Sequence, residues 1–227
     1  MYMIFKTKRN LYISFFVLAA VLVLNFSALR TVKDAMASQR HVPIACVQCD
    51  DNAVALTCNL TKEQDAELIL QKLGNSKATF FASRDYISEN PDTIENIVKN
   101  GHTIGLLESQ MKNMERSSIF DLMSQQIEET ARITGINCNL IRIENNRYDG
   151  ESINAIFNIG LYPVQWSADS SADDFSSGDI ILLNADCDFE KLFAKIEKNG
   201  CKTTTVDNLL IKGSYSVDIN GTMIPIT

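Results

Sequence analysis

The sequence has no excess of positive charge. It contains 21 Lys and Arg against 28 Asp and Glu, which gives a formal net charge of −7 at pH 7. A nucleic-acid-binding surface needs basic side chains that neutralise phosphates, and apart from one N-terminal cluster the basic residues are scattered along the chain. The composition therefore argues against a nucleic-acid partner.

The sequence also has no internal repeat and no low-complexity tract. Of its 227 residues, 45% are hydrophobic, which is enough to form a core. We therefore expect one domain of ordinary size with a short extension.

The cysteines do not form a metal-binding pattern. Cys46 and Cys49 have C-x-x-C spacing, but no second pair and no H-x-x-x-H follows them. They lie in an apparently extended run, where residues three apart point to opposite faces, so small buried residues are expected rather than a zinc knuckle. An even number of cysteines permits disulfides, and their pairing stays open. The six are Cys46, Cys49, Cys58, Cys138, Cys187 and Cys201.

One long hydrophobic run is present, at residues 11–29. It carries no charge, follows the basic residues Lys6, Lys8 and Arg9, and is long enough to cross a bilayer as a helix. We expect a single-pass signal anchor with residues 1–10 in the cytoplasm and the following domain outside the cell membrane. Two alternatives are a signal peptide cleaved near Ala37, which would release the protein, and a buried core helix.

From residue 42 to residue 212, strand patterns alternate with amphipathic helices that end at glycine. Residues 30–41 before this region are predicted to be a polar stalk, and residues 213–227 after it a hairpin or tail. Strands are predicted at 44–49, 53–58, 78–81, 102–107, 140–143, 163–167, 180–183 and 203–206, and helices at 61–73, 88–100, 117–134, 150–158 and 189–199. The alternation predicts an α/β fold, a distorted (β/α)-type barrel with about seven parallel strands, preceded by the transmembrane helix.

The predicted second strand lacks the carboxylates that are expected at its end. α/β barrels place their chemistry at the carboxyl ends of strands, where carboxylates act as general bases or metal ligands. Here the strand ends on the neutral amide of Asn59 and the aliphatic Leu60. The functional question is whether such a site is active.

Seven short fragments follow one another in a distinctive order. They are Ala53–Thr57, Lys77–Phe81, Asn100–Gly105, Leu140–Arg142, Gly160–Tyr162, Gln165–Ser170 and Gly178–Leu183. They resemble the polysaccharide deacetylase superfamily, which includes chitin-oligosaccharide and peptidoglycan deacetylases and has the motifs T-F-D-D-G-P, K-A-T-F-F, G-H-x-I-G with H-[ST]-x-x-H, L-F-R-P-P-Y-G, W-S-x-D-S and G-x-I-I-L-L-H. The resemblance covers residues 42 to 212 and implies that family's fold.

The resemblance implies metal-assisted removal of an N-acetyl group. In the family, an Asp and two His hold a divalent ion such as zinc, another Asp activates water, and a late His protonates the leaving amine. At the matching positions this chain has Asn59 for the base, Leu60, Leu107 and Met111 for the metal ligands, and Asn184 for the acid. We therefore expect no bound metal, no cofactor and no catalytic residue of this type.

Other polar residues are candidates for ligand binding or for a relocated site. Arg142, Trp166, Asp169 and Tyr148 are candidates for contact with a glycan. Because a buried unpaired guanidinium is costly, Arg142 is expected to pair with Glu108, Glu144 or Asp169, or to reach solvent. Four acids near predicted strand ends are either solvated loop residues or a new ion site: Glu108, Glu144, Asp169 and Asp186. His102 and Cys58 are expected to be structural.

Three functions follow from these expectations. The first is a membrane-anchored, inactive deacetylase-like protein that binds cell-wall glycan. The second is an active, divergent carbohydrate deacetylase with a relocated site. The third is a structural partner of a membrane or cell-wall protein, for example during sporulation.

Overall fold

The computed structural model describes residues 42–60 and 66–226. The predicted cytoplasmic end, transmembrane segment and stalk (1–10, 11–29 and 30–41) lie outside these residues, as does the predicted helix start at Thr61. Among the residues that are described, we find no helix with the length and apolar character that crossing a membrane requires.

The described strands form one large and one small sheet. They are β1 (Cys46–Val47), β2 (Ala53–Leu60), β3 (Thr79–Ala82), β4 (Thr103–Glu108), β5 (Leu140–Ile143), β6 (Tyr162–Pro163), β7 (Ala168–Asp169), β8 (Ile180–Leu182), β9 (Lys202–Thr204), β10 (Tyr215–Val217) and β11 (Thr222–Pro225). The large sheet is parallel and has the strand order β6-β5-β4-β3-β2-β8-β7, with β9 paired to the start of β2. The predicted α/β class and the seven parallel strands are confirmed.

The large sheet is a curled half-barrel rather than a closed barrel. Its edge strands β6 and β7 do not pair with each other in the described structure. The backbone at Ile44 lies beside β6 instead: its N–H donates to the Pro163 carbonyl, and its carbonyl accepts from the Gln165 N–H. The chain then leaves the sheet, so the strand predicted at 163–167 is wrong in its bounds.

Helices cover the sheet. They are α1 (Ala66–Leu73), α2 (Arg84–Glu89), α3 (Pro91–Lys99), α4 (Arg116–Thr134), α5 (Gly150–Asn158), α6 (Phe189–Lys198) and α7 (Val206–Leu209). The single helix predicted at 88–100 is in fact α2 followed by α3. The break falls at Asn90 (φ −129°, ψ 51°), because a residue before proline is driven out of the helical region.

β2 lies in the middle of the large sheet and ends at Asn59 and Leu60, the residues at the family's base and metal-ligand positions. From Val54 to Cys58 every side chain is buried, as expected for a parallel strand that is covered on both faces. Its partners are β3 on one side and β8 on the other, so that Asn59 lies opposite Phe81. β2 therefore brings Asn59 and Leu60 to the centre of the sheet's carboxyl-terminal edge.

The small sheet ties the two ends of the described domain together. β10 and β11 are antiparallel, and β1 pairs with β11 in parallel. The turn before β11 contains Gly221 at φ 82°, and a Cβ there would lie 2.6 Å from the Pro43 carbonyl oxygen. Glycine is required at this close approach of two backbones.

Candidate active site

The guanidinium of Arg142 lies at the centre of the site. It extends from β5 and is 1% exposed. It donates to the Asn59 amide oxygen (2.9 Å), the Thr57 hydroxyl (3.0 Å), and the backbone carbonyls of Val164 and Gln165 (both 3.3 Å). All four acceptors are neutral, so the charge is solvated by dipoles rather than by a counter-ion.

Two aromatic rings complete the surroundings of Arg142. Its guanidinium carbon lies 4.1 Å from the Phe81 ring centroid and 5.3 Å from that of Trp166, both within cation–π range. Burial lowers the pKa of Arg142 to about 9, partly offset by Cys58, so the side chain is still mainly cationic at neutral pH. The site therefore contains a buried positive charge beside Asn59.

The expectation that Arg142 pairs with an acid or reaches solvent was wrong. In the described part of the chain, the ion pairs join Arg84 to Glu129, Lys99 to Glu95 and Lys191 to Asp188, and none includes Arg142. The backbone carbonyls and the Thr57 hydroxyl take the place of a carboxylate. Their dipoles repay part of the desolvation cost without adding a second buried ion.

Phe81 reaches Arg142 because β4 has no side chain at Gly105. Phe81 on β3 and Gly105 on β4 lie opposite each other in the pairing of these two strands. A Cβ on Gly105 would lie 2.5 Å from two ring atoms of Phe81. The glycine therefore leaves the space that the ring occupies when it packs on the guanidinium.

The three positions matching the family's metal ligands are filled by buried apolar side chains. Leu60 and Met111 are 0% exposed and Leu107 is 4% exposed. Met111 is also fixed by its backbone, because its N–H donates to the Arg147 carbonyl at 2.8 Å. Leucine has no lone pair to donate, and a thioether is a weak ligand for a hard or borderline ion. These residues do not fit a divalent metal.

The residue at the family's acid position lies near another candidate. Asn184 follows β8, and its backbone N–H donates at 3.1 Å to the hydroxyl of Ser170, the residue after Asp169 at the end of β7. Hydrogen bonds from the Ser171 hydroxyl and backbone N–H hold the pKa of Asp169 below its ordinary value. Asp169 is thus an acceptor within a local polar turn.

Of the four acids considered for a relocated ion site, two lie together. Glu108 at the end of β4 and Glu144 after β5 both line one cavity of about 450 Å³. Asp186 is exposed in the turn after β8, and Asp169 is bound in its own turn. Within residues 42–60 and 66–226, no three His, Cys, Asp or Glu side chains group closely enough to hold a metal ion.

Tyr148 and Trp166 are both half-buried. Trp166 packs on Arg142, whereas Tyr148 lies in the loop before α5, where burial raises the pKa of its hydroxyl. The structure therefore brings Trp166, but not Tyr148, into the Arg142 cluster.

His102 and Cys58 have structural surroundings. The Nδ1 atom of His102 accepts the Ala78 N–H at 3.1 Å, and its ring meets that of Phe80 edge-on at 5.4 Å. Burial lowers the pKa of His102 to about 4, which keeps the ring neutral. Burial raises the pKa of Cys58 to about 12, so its thiolate is not populated at neutral pH. All six cysteines are thiols in the described residues.

Sequence reasoning missed four residues that shape this edge. Thr57 and Phe81 were interpreted only as strand residues, although their position at strand ends was a usable signal. Gln165 received no role, yet its backbone carbonyl accepts from Arg142 and its side-chain nitrogen donates to the Ile143 carbonyl. Gln126 on α4 donates to Glu108 across 18 residues of sequence, a pairing that no local pattern indicates.

Comparisons with known proteins agree with this architecture. A polysaccharide deacetylase family profile matches residues 49–164. No curated protein matches the chain.

Solved structures similar to this chain include carbohydrate esterases of family 4 and a pseudoenzyme of the same family. A family 4 carbohydrate esterase from Bacillus anthracis is 20% identical, with a TM-score of 0.67 over 78% of this chain and 91% of that one. The wild-type CE4 family pseudoenzyme BA3943 from Bacillus anthracis is 19% identical, with a TM-score of 0.65 over 76% of this chain and 70% of that one. PdaA of Bacillus subtilis, another family 4 carbohydrate esterase, is 17% identical, with a TM-score of 0.61 over 79% and 88%.

At these identities the structural likeness shows the fold alone. The family profile, however, covers more than half of the chain, and its range includes Asn59, Arg142 and the three apolar positions described above. The chain therefore belongs to the polysaccharide deacetylase family.

Proposed function

We propose that this protein is a non-hydrolytic member of its family, anchored outside the cell membrane, which binds cell-wall glycan. The observation that carries the proposal is the neutral hydrogen bond between Arg142 and Asn59, next to buried Leu60 and Leu107. The base position is an amide and the metal positions are apolar.

These side chains are unable to supply the family's acid, base or metal chemistry. An amide at Asn59 does not take a proton from water, and Asn184 does not protonate a leaving amine at neutral pH. Without a divalent ion, neither water acidification nor carbonyl polarisation is available from Leu60, Leu107 and Met111. Removing a single such contribution costs several kcal/mol of transition-state stabilisation, so their joint loss leaves no family mechanism.

Glycan binding is supported by what remains open at the same edge. The cavity of about 450 Å³ lies beside Leu60 and Leu107 and is lined by polar and apolar groups. Its volume is within the roughly 300–1,000 Å³ of ordinary ligand sites. A fold that has lost its metal ligands but keeps such a cavity suits binding without turnover.

The membrane location rests on the sequence. The uncharged run at residues 11–29 and the basic residues before it favour a cytoplasmic N-terminus and an exported domain. A phosphatase that is active only outside the cytoplasm, fused after Thr227, should be active on intact cells and stay in the membrane fraction. Activity in the culture medium would indicate cleavage near Ala37, and an inactive fusion would contradict export.

Binding without hydrolysis is tested with purified cell-wall sacculi. Full-length protein in detergent should sediment with sacculi, and mass spectrometry should find their acetyl content unchanged. Loss of acetyl groups would contradict the proposal and support the relocated active site. A chain that stays in the supernatant and instead crosslinks to a single cell-wall protein would replace the glycan with a protein partner.

A further inference from the structure

A second cavity lies at the amino-terminal end of β4, away from the end that carries Leu107. It has a volume of about 280 Å³ and is lined by residues of α3, of the last turns of α4 and of the loop that leads into β5. None of the described residues that line it belongs to the Arg142 cluster or matches the family's base, acid or metal positions. A ligand bound in this cavity would therefore be independent of the replaced metal site.

His102 has an unused donor at this cavity. The residue is 6% exposed, and its Nδ1 accepts the Ala78 N–H, so the hydrogen of the neutral ring is on Nε2. Within residues 42–60 and 66–226, the buried side-chain nitrogen and oxygen atoms without a hydrogen bond are the Gln126 and Gln165 oxygens. Nε2 also has no partner in this part of the chain and is not among those buried atoms, so it is accessible. Because His102 lines the cavity, its Nε2–H is a donor for a ligand there.

Two side-chain amides of the same cavity are also free. Asn137 and Asn139 lie in the loop between α4 and β5 and are exposed, and their side chains make no hydrogen bond to any described residue. Each amide has a donor group and an acceptor oxygen. Together with the His102 N–H, they suit a ligand that both accepts and donates hydrogen bonds.

The charged side chains on the described lining are Asp207 and Lys212, and both are engaged. The Asp207 carboxylate accepts from the Thr103 hydroxyl at 2.6 Å, and the Lys212 ammonium donates to the Asp207 backbone carbonyl. The two charges offset each other, and burial keeps His102 neutral by lowering its pKa to about 4. The cavity therefore favours an uncharged ligand.

Accessible apolar surface accompanies these polar groups. Ile136 is 53% exposed, Val98 on α3 is half-buried, and both line the cavity. Ligand sites in proteins combine such apolar surface with a few hydrogen-bonding groups that fix the orientation of the ligand. A ligand with both an amide group and a small apolar group would match this lining.

We propose that this cavity binds an N-acetylated sugar unit, whose acetamido carbonyl accepts a hydrogen bond from the His102 Nε2–H. The acetamido N–H and the sugar hydroxyls pair with the amides of Asn137 and Asn139, and the acetyl methyl contacts Val98 and Ile136. Such a unit is uncharged, in agreement with the balanced charges of the lining. The inference adds a second binding site to the chain, and for its class of ligand it rests on the proposed glycan-binding function.

Calorimetric titration of the full-length protein in detergent tests this site, with the β-1,4-linked N-acetylglucosamine dimer and with cellobiose as ligands. Cellobiose has hydroxyls in place of the acetamido groups and should bind about tenfold more weakly, because a hydrogen bond and a methyl contact are lost. His102→Asn keeps an acceptor for the Ala78 N–H but removes the donor at Nε2, so the dimer should bind about three- to tenfold more weakly.

A second variant leaves the buried histidine in place. Asn137→Ala removes an exposed amide that has no hydrogen bond to the described fold, and it should weaken dimer binding by about threefold. Asn75→Ala is the matched control, because Asn75 is equally exposed but does not line the cavity, and it should bind the dimer like the wild type. Circular dichroism checks that each variant folds.

The outcomes separate this inference from the proposed function. Equal binding of the two sugars, or a dimer affinity that neither His102→Asn nor Asn137→Ala lowers, would overturn the inference while leaving glycan binding beside Leu60 in place. No binding of either sugar by the wild type would also overturn it, and the sacculus experiment would then decide the function separately. Weaker sedimentation of both variants with sacculi would support the site, and unchanged sedimentation would contradict it.

Discussion

Arg142 donates to the side-chain oxygen of Asn59 across 2.9 Å, at the point where the family has an arginine and a catalytic aspartate. The guanidinium is buried, yet its surroundings are amides, a hydroxyl, carbonyls and two aromatic rings. The guanidinium of Arg142 is therefore hydrogen-bonded to a neutral amide and not to a carboxylate. The stability of variants at these two positions therefore shows what the replacement of the family's aspartate by Asn59 has changed.

Restoring a carboxylate at this point should stabilise the fold. In Asn59→Asp the new carboxylate meets a cation that is already buried, so the protein should gain about 1–3 kcal/mol at pH 7. Arg142 would depress the carboxyl pKa below its unfolded value of about 3.9. The gain is then present above that value and is lost as the pH falls through the folded pKa.

Urea unfolding of both proteins at pH 7 and at pH 3 measures this gain. Asn75→Asp, at an exposed loop position, makes the same change away from any guanidinium and should shift stability by less than about 0.5 kcal/mol. A destabilised Asn59→Asp protein would show that the neutral surroundings solvate Arg142 fully.

Lysine should be a poor replacement for Arg142. The guanidinium makes four hydrogen bonds in a fixed planar arrangement, whereas an ammonium has three donors at a single point. Arg142→Lys should therefore lose about 1–3 kcal/mol of unfolding free energy, because buried acceptors are left without donors. Thermal or urea unfolding measures it, and Arg132→Lys, exposed on α4, should be nearly neutral. Equal stability of the two variants would contradict the four hydrogen bonds described for the Arg142 guanidinium.

Adding one methyl group to β4 should disturb the same cluster. In Gly105→Ala the new Cβ would lie 2.5 Å from the buried ring of Phe81, so the ring has to shift away from Arg142. We expect a loss of about 1–3 kcal/mol in unfolding free energy. Gly213→Ala, where a Cβ meets open space, should change stability by less than about 0.5 kcal/mol. A neutral Gly105→Ala would mean that the sheet adjusts freely.

The stability of the domain should depend on pH through His102. Burial lowers the pKa of His102 to about 4 from 6.5, so the unfolded state binds more protons between these values. Stability from this group is therefore full above pH 6.5 and is lost as the pH falls towards 4, by about 1–3 kcal/mol in all.

His102→Asn isolates this effect, because an amide oxygen can still accept the Ala78 N–H but does not titrate. The difference in unfolding free energy between the two proteins should change between pH 7 and pH 4.5, while their shared carboxylates cancel. Parallel curves for the two proteins would show that His102 is not held neutral.

Much of the fold was predictable, because the spacing of hydrophobic residues and the glycines that end helices are features of neighbouring residues in the sequence. The strand at Leu140–Ile143 and the helix at Gly150–Asn158 were predicted with their observed bounds. The break before Pro91 and the departure of the chain after Pro163 were missed. The helix break was predictable, because a residue before proline is driven out of the helical region. The departure of the chain after Pro163 was not, because it depends on Ile44, which pairs beside β6 and is far away in the sequence.

The site was predictable only where the family motifs name a position. Asn59, Arg142 and Trp166 were identified, and the structure brings them together. The partner of Arg142 was predicted wrongly because the sequence shows charges but not which backbone carbonyls turn towards them. Gln126 reaches Glu108 from another element, so that contact exists only after the helix packs on the sheet.

With these replacements, the domain should not perform its family's metal-dependent reaction. The most direct measurement is zinc titration of the purified full-length protein, followed by acetate release from N-acetylglucosamine oligomers with zinc present. We expect no stoichiometric zinc and no acetate above the background that is measured without protein. One tightly bound zinc per chain, with acetate release that a chelator abolishes, would contradict it.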